Sequence, residues 1–466
     1  MVILFECTYF ILVLTVMPES IPNIASNKSI HRAWSMYDWA NSAYNLVITS
    51  TFFPFYYNAV TTIKQGDKII SEDVHFWGYT LNNGALFDYS IAAAYLIIAI
   101  ISPVLSSIAD YKGNKKRFMQ FFCYLGSLSC CGLYFFRSDT LELGIICSSL
   151  AALGYCGSLV FYNSYLPEIA QLHERDDVSA QGFAYGYIGS VLLQILCFVF
   201  VLMPDKFGIA DKGAATRLSF FLVGIWWMGF AQIPFYKLPN SIPAERRPGH
   251  NILVNGFHEL GGVFRQLKKL PVLKIYLVAF FLYSMGVQTV MLAATLFGTK
   301  EIRQSNGHLL GMEQLIGTIL LIQIVAIGGA YLMAKLSDRF GNLNILLFVV
   351  FIWMGVCIAA YFTTTDIQFY ILAAIVGLVM GGIQSLSRST YSKLMPATHD
   401  TTSFFSFYDV TEKFAIVAGM GSFGLITQLV NMRTAVIALI VFFVLGALVL
   451  YLAIRKANKE KIPFVS

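Results

Sequence analysis

The sequence predicts an all-α integral membrane protein with twelve transmembrane helices in two six-helix bundles. Three observations predict it: a composition too apolar for water, twelve apolar runs of spanning length, and a loop motif found once in each half. Of 466 residues, 57% are hydrophobic and 12% charged, against about 25% charged in soluble domains. Mean hydropathy is +0.66. A fold this apolar cannot cover its surface with polar groups, so its solvent is lipid.

Composition also narrows function. Net charge is +6, but the basic residues sit in short loops and form no stripe with interleaved aromatics. Nucleic-acid binding is therefore not expected. Cys7, Cys123, Cys130, Cys131, Cys147, Cys156, Cys197 and Cys357 include no CxxC pair and lie almost entirely in apolar runs, as small buried hydrophobes do. The histidines fall in loops or at loop edges, and no Cys/His cluster has zinc-ligand spacing. No metal and no cofactor is expected. No P-loop is present, and no nucleophile with a base lies in a span, so neither an ATP-driven pump nor an intramembrane enzyme is predicted.

Runs of about 20 apolar residues read as spanning helices. They lie near 34–60, 85–109, 117–136, 142–165, 181–203, 217–238, 271–297, 313–336, 343–363, 367–388, 404–430 and 433–454. The first sixteen residues are apolar but lack a basic flank and a cleavage site, so they make a poor signal peptide. Met17 is expected as the start, with 1–16 an over-extended reading frame. The stretch 239–270 contains Pro239, Pro243, Pro248 and Arg246–Arg247 and reads as a linker. The expected plan is an N-terminal segment 1–31, a bundle 32–238, the linker 239–270, a bundle 271–455 and a tail 456–466. Loops on the side of the linker, among them Lys112, Lys115, Lys116, Arg117, Arg265, Lys268 and Lys269, hold most of the Lys and Arg. The opposite side has Lys64, Lys68 and Arg137 and few others. Positive-inside then places both termini in the cytoplasm, and a bacterial inner membrane is the expected location.

The internal repeat follows the second and eighth spans. Ser106-Ser107-Ile108-Ala109-Asp110-Tyr111-Lys112-Gly113-Asn114 and Ala334-Lys335-Leu336-Ser337-Asp338-Arg339-Phe340-Gly341-Asn342 share a small residue, an Asp, a Gly and an Asn. The small residue permits close helix approach. The Gly permits a tight turn, and the Asp can bind helix-terminal N–H groups. Asp110, Gly113, Asp338, Arg339 and Gly341 are therefore candidate gating residues. The two Asp residues are expected to act alike.

Charged groups in hydrocarbon cost about 2.5–3.5 kcal/mol on insertion scales and suggest function. In the first span, Asp38, Asn41, Ser42 and Asn45 share a helix face, which reads either as the wall of a cavity or, at Asp38, as an interfacial cap. Tyr37 and Tyr44, with Trp34 and Trp39, are candidates to line the same path. In the eleventh span, Asp409 and Lys413 have the spacing of an intrahelical pair. That leaves Glu412 as the unpaired acid and a candidate proton carrier, unless all three form a structural ion-pair cluster. Gln288 reads as solute contact or as an interhelical hydrogen bond. Glu168 and Arg388, at the cytoplasmic ends of the fourth and tenth spans, read as anchoring or gating groups.

The loop repeat resembles the signature loop of the major facilitator superfamily, although neither copy begins with Gly and the first has Tyr111 where Arg is usual. Trp34-Ser35-Met36-Tyr37-Asp38-Trp39-Ala40-Asn41-Ser42-Ala43-Tyr44 resembles the signature of its vacuole effluxer family. So do Phe161-Tyr162-Asn163, Leu166-Pro167-Glu168-Ile169-Ala170, Gly186-Tyr187-Ile188-Gly189, Gly286-Val287-Gln288-Thr289, the run Gly381–Ser389, and Tyr408-Asp409-Val410-Thr411-Glu412-Lys413-Phe414. Ser284-Met285 departs from the polar or acidic pair of many members. The resemblance implies the major facilitator fold and a monomeric secondary transporter in the lipid bilayer. It implies a small-molecule substrate, with amino-acid efflux as the suggested activity and protons as a candidate co-substrate. Export of another small solute or drug, or uncoupled uniport or a channel, is the alternative.

Overall fold

The structure, a computed structural model, describes residues 26–65, 68–241, 261–304 and 308–462. The proposed start at Met17, residues 1–16 and most of the 239–270 linker lie outside the described residues. Among the described residues, ten helices are long and apolar enough to cross a membrane. Two more complete the set of twelve. The first, Lys28–Thr61, is α-helical over Lys28–Ala43 and Phe53–Thr61, with a π-helical stretch over Tyr44–Phe52 between them. The other is the eleventh span, Thr401–Leu429, whose hydropathy Asp409, Glu412 and Lys413 dilute.

The remaining spans are Asn83–Lys112, Lys115–Phe135, Leu141–Asn163, Arg175–Leu202, Lys212–Lys237, Pro271–Glu301, Met312–Phe340, Asn342–Phe362, Asp366–Leu394 and Met432–Glu460, the last with a break at Leu439. Their ends follow local chemistry. Asn27 and Asn82 accept from the first free N–H groups of their helices, and Thr365 with Gln368 forms a capping box. Gly113 closes the second span at φ +63° and Gly341 the eighth at φ +83°. Both need the left-handed region that glycine enters without steric cost.

Several helices run past the apolar limits read from sequence. The fifth begins at Arg175 rather than 181 and the tenth ends at Leu394 rather than 388. Hydropathy ends a span where polar residues begin, but these polar turns stay helical because they are buried against the other half of the molecule. Between the first and second spans lie two short antiparallel hairpins, Ile63–Gln65 with Lys68–Ser71 and Asp73–Phe76 with Tyr79–Asn82, which an all-α reading omits. The second turns at Trp77 and Gly78, both at positive φ, as a type I′ turn requires.

Buried apolar side chains form two large cores. One takes Trp34, Tyr37, Phe53, Phe122, Phe161 and Trp227 from the first six spans. The other takes Tyr276, Phe280, Trp353, Phe404 and Phe443 from the last six. Large apolar side chains such as Leu96, Ile100, Phe348, Phe351, Val441 and Leu448 are exposed on the outer faces, where acyl chains replace water as their surroundings. The end of the molecule at which the sixth and seventh spans meet the linker is called the linker end, and the opposite one the hairpin end.

Candidate functional site

The two halves enclose a cavity of about 250 Å³, room for a small solute or a few waters. The first span contributes Asp38, Ser42, Asn45 and Ser50, and the fourth Tyr155, Cys156 and Asn163. The seventh brings Tyr283 and Gln288, the tenth Gln384 and Arg388, and the eleventh Tyr408, Glu412 and Lys413. Of the first-span residues read as path-lining, Tyr37, Asn41 and Tyr44 do not reach it. They lie on the neighbouring ridge of the helix, at the same i, i+4, i+7 spacing as Asp38, Ser42 and Asn45, and turn into the N-terminal core. Tyr37 packs on Tyr162 and Phe235, and Tyr44 on Tyr155 and Trp227. Asn41 is 1% exposed. Asn45 is exposed to the cavity, at the point where the π-helical turn begins; such turns recur at functional sites.

In the eleventh span, Lys413 Nζ lies 3.0 Å from Asp409 Oδ1 and 3.7 Å from Glu412 Oε2. Glu412, expected to be the unpaired acid, has a second partner as well: Gln288 Nε2 donates to its Oε1 at 2.8 Å. The seventh and eleventh spans pack side by side, which brings together residues too distant in sequence for spacing to pair. Gln288 thus both lines the cavity and makes an interhelical hydrogen bond. Asp409 does not line the cavity; it anchors Lys413, which does.

Arg388 forms the floor. Its Nη1 lies 3.2 Å from Asp38 Oδ2 and 3.2 Å from Asn163 Oδ1. Nε donates to Ser179 Oγ and Nη2 to Ser179 O, each at 2.9 Å. Tyr162 OH donates to Asp38 Oδ2 at 2.8 Å. The guanidinium lies over the rings of Phe183 and Trp34, 4.2 and 4.7 Å from their centroids, a favourable setting for a delocalised cation. Gly182 leaves the necessary gap: a Cβ there would lie 2.6 Å from Asp38 Oδ2 and 2.8 Å from Arg388 Nη2. Arg388, read from sequence as an interfacial group, is therefore a cavity residue that crosses between the halves.

Below the floor, the linker end is closed by two polar clusters. Asp110 accepts from Thr402 N at 3.2 Å, Ser403 N at 2.7 Å and Ser403 Oγ at 2.8 Å. A carboxylate of the N-terminal half thus caps the eleventh helix of the other half, where free N–H groups and the helix dipole favour an anion. Lys115, fully buried, pairs beside it with Glu168, and Thr401 Oγ1 donates to Glu168 Oε1 at 2.6 Å. The second copy of the loop motif works differently. Asp338 and Arg339 are exposed, and Asp338 has no hydrogen bond or ion pair among the described residues. Arg339 lies over the ring of Phe340. The acid of this cluster is Asp176, from the start of the fifth span. It accepts from Ser337 Oγ at 2.8 Å, from Asn342 Nδ2 at 2.7 Å and from Lys393 Nζ at 2.6 Å. The two loop aspartates, expected to act alike, differ in their surroundings: the second loop supplies donors, and its acid comes from the other half. Asp176 and Lys393 were missed because hydropathy leaves both outside the spans; Asn342 was visible as the last residue of the repeat.

Among the described residues, the polar contacts between halves run from the level of Gln384 to the linker end. The arrangement is a chamber between two bundles, shut on one side.

Comparison with known proteins gives the same architecture. Residues 26–461 match the family described as vacuole effluxer Atg22 like. The chain is 34% identical over 420 residues to the uncharacterized MFS-type transporter YxiO of Bacillus subtilis, covering 90% of this chain and 93% of that one. It is 24% identical over 482 residues to autophagy-related protein 22 of Kluyveromyces lactis, covering 92% and 94%. Among solved structures, the major facilitator superfamily transporter FucP in the outward conformation superposes with a TM-score of 0.67 at 12% identity, over 91% of this chain and 99% of that one. The human organic anion transporter MFSD10 gives 0.68 at 10% identity, over the same shares. At such identities the structures establish the fold alone.

Proposed function

We propose a function for this chain, which belongs to the Atg22-like vacuole effluxer family of major facilitator transporters: proton-coupled efflux of a small organic solute, with amino acids as the solute class, by alternating access. The observation that carries the proposal is the charge of the chamber. Among the described residues, Asp38, Asp409 and Glu412 pair with two cations, Arg388 and Lys413, so with all three acids ionised one negative charge is in excess where charge is costly. A proton on Glu412, which lines the cavity and is the most exposed of the three acids, or an ammonium group on the solute would balance it. The two are then mutually exclusive occupants, which is what coupled exchange of solute and proton needs.

In this reading the linker end is cytoplasmic, in keeping with its Lys and Arg content, and the membrane is a bacterial inner membrane. The structure then corresponds to a state shut toward the cytoplasm. Asp38, Gln288, Glu412 and Lys413 meet solute or proton, and Asp110, Glu168 and Arg388 act as gates. The family's name supports efflux, and an amino acid's ammonium group would pair with Glu412 while its carboxylate takes Arg388 or Lys413, which line the same cavity.

The test is counterflow of radiolabelled amino acids in proteoliposomes, with and without an imposed pH gradient. Counterflow together with accumulation driven by the gradient is the expected result. Counterflow without gradient-driven accumulation would indicate a uniporter. Absence of both for all twenty amino acids would reject this solute class.

A further inference from the structure

The fifth and tenth spans, one from each half, run antiparallel along a line of polar contacts. Arg175 Nη1 donates to Ser392 O at 2.6 Å, and Lys393 pairs with Asp176. Arg388 and Ser179 follow, with Ser179 Oγ donating to Ser385 O at 2.8 Å. Last comes Tyr187, whose OH donates to Gln384 Oε1 at 2.7 Å. From Arg175–Ser392 through Ser179–Arg388 to Tyr187–Gln384, numbers rise on one helix as they fall on the other, so these contacts form one seam from the linker end up to the cavity.

The top of the seam differs from the rest. Gln384 lines the cavity, whereas Tyr187, 7% exposed, sits behind it. The amide nitrogen of Gln384 is directed at Met291 Sδ, 3.6 Å away, and a thioether is a weak acceptor. The Gln384 amide is thus the part of the seam that a solute can compete for: an acceptor on the solute outcompetes Met291 for Nε2, and a donor displaces Tyr187 from Oε1.

We propose that the Tyr187–Gln384 hydrogen bond is the cavity-end latch of this seam, and that its release opens the linker end. Tyr187 acts through Gln384 and is a positioning residue. The order of contacts gives the route: once Gln384 turns toward the cavity, the next tie along the seam is Ser179, which donates to Ser385 O and accepts from Arg388, whose cavity-facing side is already shared with Asp38. The proposal rests on alternating access and not on which solute is carried, so a negative amino-acid screen leaves it standing.

Hydrogen–deuterium exchange on the full chain in lipid nanodiscs, with no solute added, tests it. Tyr187→Phe removes one hydroxyl and keeps the ring that packs near Phe183. A net hydrogen bond of about 1 kcal/mol corresponds to about a fivefold change in the opening equilibrium. Exchange over residues 388–403 should therefore rise about fivefold. Exchange over 292–301, at the hairpin end, should fall, because the two ends alternate. Gln384→Ala should do the same, and the double variant should add nothing. Unchanged exchange, faster exchange at both ends, or additive effects of the two substitutions overturn the proposal, since general loosening raises exchange everywhere.

Discussion

The carboxylate of Asp176 lies 2.6 Å from the ammonium group of Lys393, although 217 residues separate them and each belongs to a different half. Both side chains are buried, at 0% and 3% exposure. Ser337 and Asn342 also donate to the carboxylate, and Asn342 Oδ1 accepts from Lys393 at 3.0 Å. Removing one member of a buried pair typically costs about 3–5 kcal/mol, because the other is left charged and unpaired.

Lys393→Met should therefore destabilise the shut state at the linker end severely. Asp176→Asn in the same chain should recover part of the loss by removing the stranded carboxylate. Thermal unfolding of the three variants in detergent checks this. A double variant no more stable than Lys393→Met would show that the pair is not what holds these helices together.

The two loop aspartates should separate under mutation. Asp110→Asn keeps one acceptor oxygen but loses the charge facing three donors at the start of the eleventh helix. A weakening of about 1–2 kcal/mol follows from lost capping and dipole terms. That corresponds to roughly a tenfold shift in the alternating equilibrium, visible as altered counterflow rates. Asp338→Asn changes an exposed group with no hydrogen bond or ion pair among the described residues and should leave transport within about twofold. Equal effects in the two variants would favour the symmetric roles that the sequence repeat suggests.

This pair shows what the sequence carried and what it did not. The spans, the twofold plan and the loop motifs were legible, because lipid imposes a length and polarity on each helix that one chain displays by itself. The local pair Asp409–Lys413 was legible for the same reason, being set by helical spacing. Asp38–Arg388 and Asp176–Lys393 were not, since each depends on how two separately folded bundles meet. Asp38, Ser42 and Asn45 line the cavity as the first-span stripe predicts, but the stripe is narrower than the sequence suggests, for a smaller reason. Two adjacent ridges, one ending in Tyr44 and one in Asn45, both carry polar atoms, and only packing decides which faces the cavity.

Gly182→Ala should uncouple the floor without touching a charged residue. The added methyl would lie within 3 Å of both Asp38 Oδ2 and Arg388 Nη2, and overpacking of this kind costs about 1–3 kcal/mol. The expected outcome is a stable, inserted protein whose linker end is more often open. Faster labelling of a cysteine at Ser389 by a water-soluble thiol reagent, above the parent background, would report it. Labelling equal to that of the parent would mean that the floor tolerates the methyl by a shift elsewhere.

Asp38→Asn and Glu412→Gln should fail in different ways, because both acids line the cavity but only Asp38 is tied to the gate. Asp38 accepts from Tyr162 and pairs with Arg388. Neutralising it leaves Arg388 with hydrogen bonds to Ser179 and Asn163 but no counter-ion, so both exchange and net transport should drop, by about tenfold or more if the pair contributes over 1.4 kcal/mol to the shut state. Glu412 has Gln288 on one oxygen and Lys413 at 3.7 Å from the other. Gln at this position keeps an acceptor for Gln288 and loses only the titratable charge. Lys413 retains Asp409 at 3.0 Å, so the ion pair of the eleventh helix survives. Glu412→Gln should then abolish accumulation driven by a pH gradient while leaving solute counterflow within about threefold, because exchange of solute for solute need not move a proton. Measuring both activities for both variants in one proteoliposome preparation separates the roles. If Glu412→Gln retains full gradient-driven accumulation, the proton travels elsewhere or not at all, and the Glu412–Gln288 bond is then a structural tie between the seventh and eleventh spans.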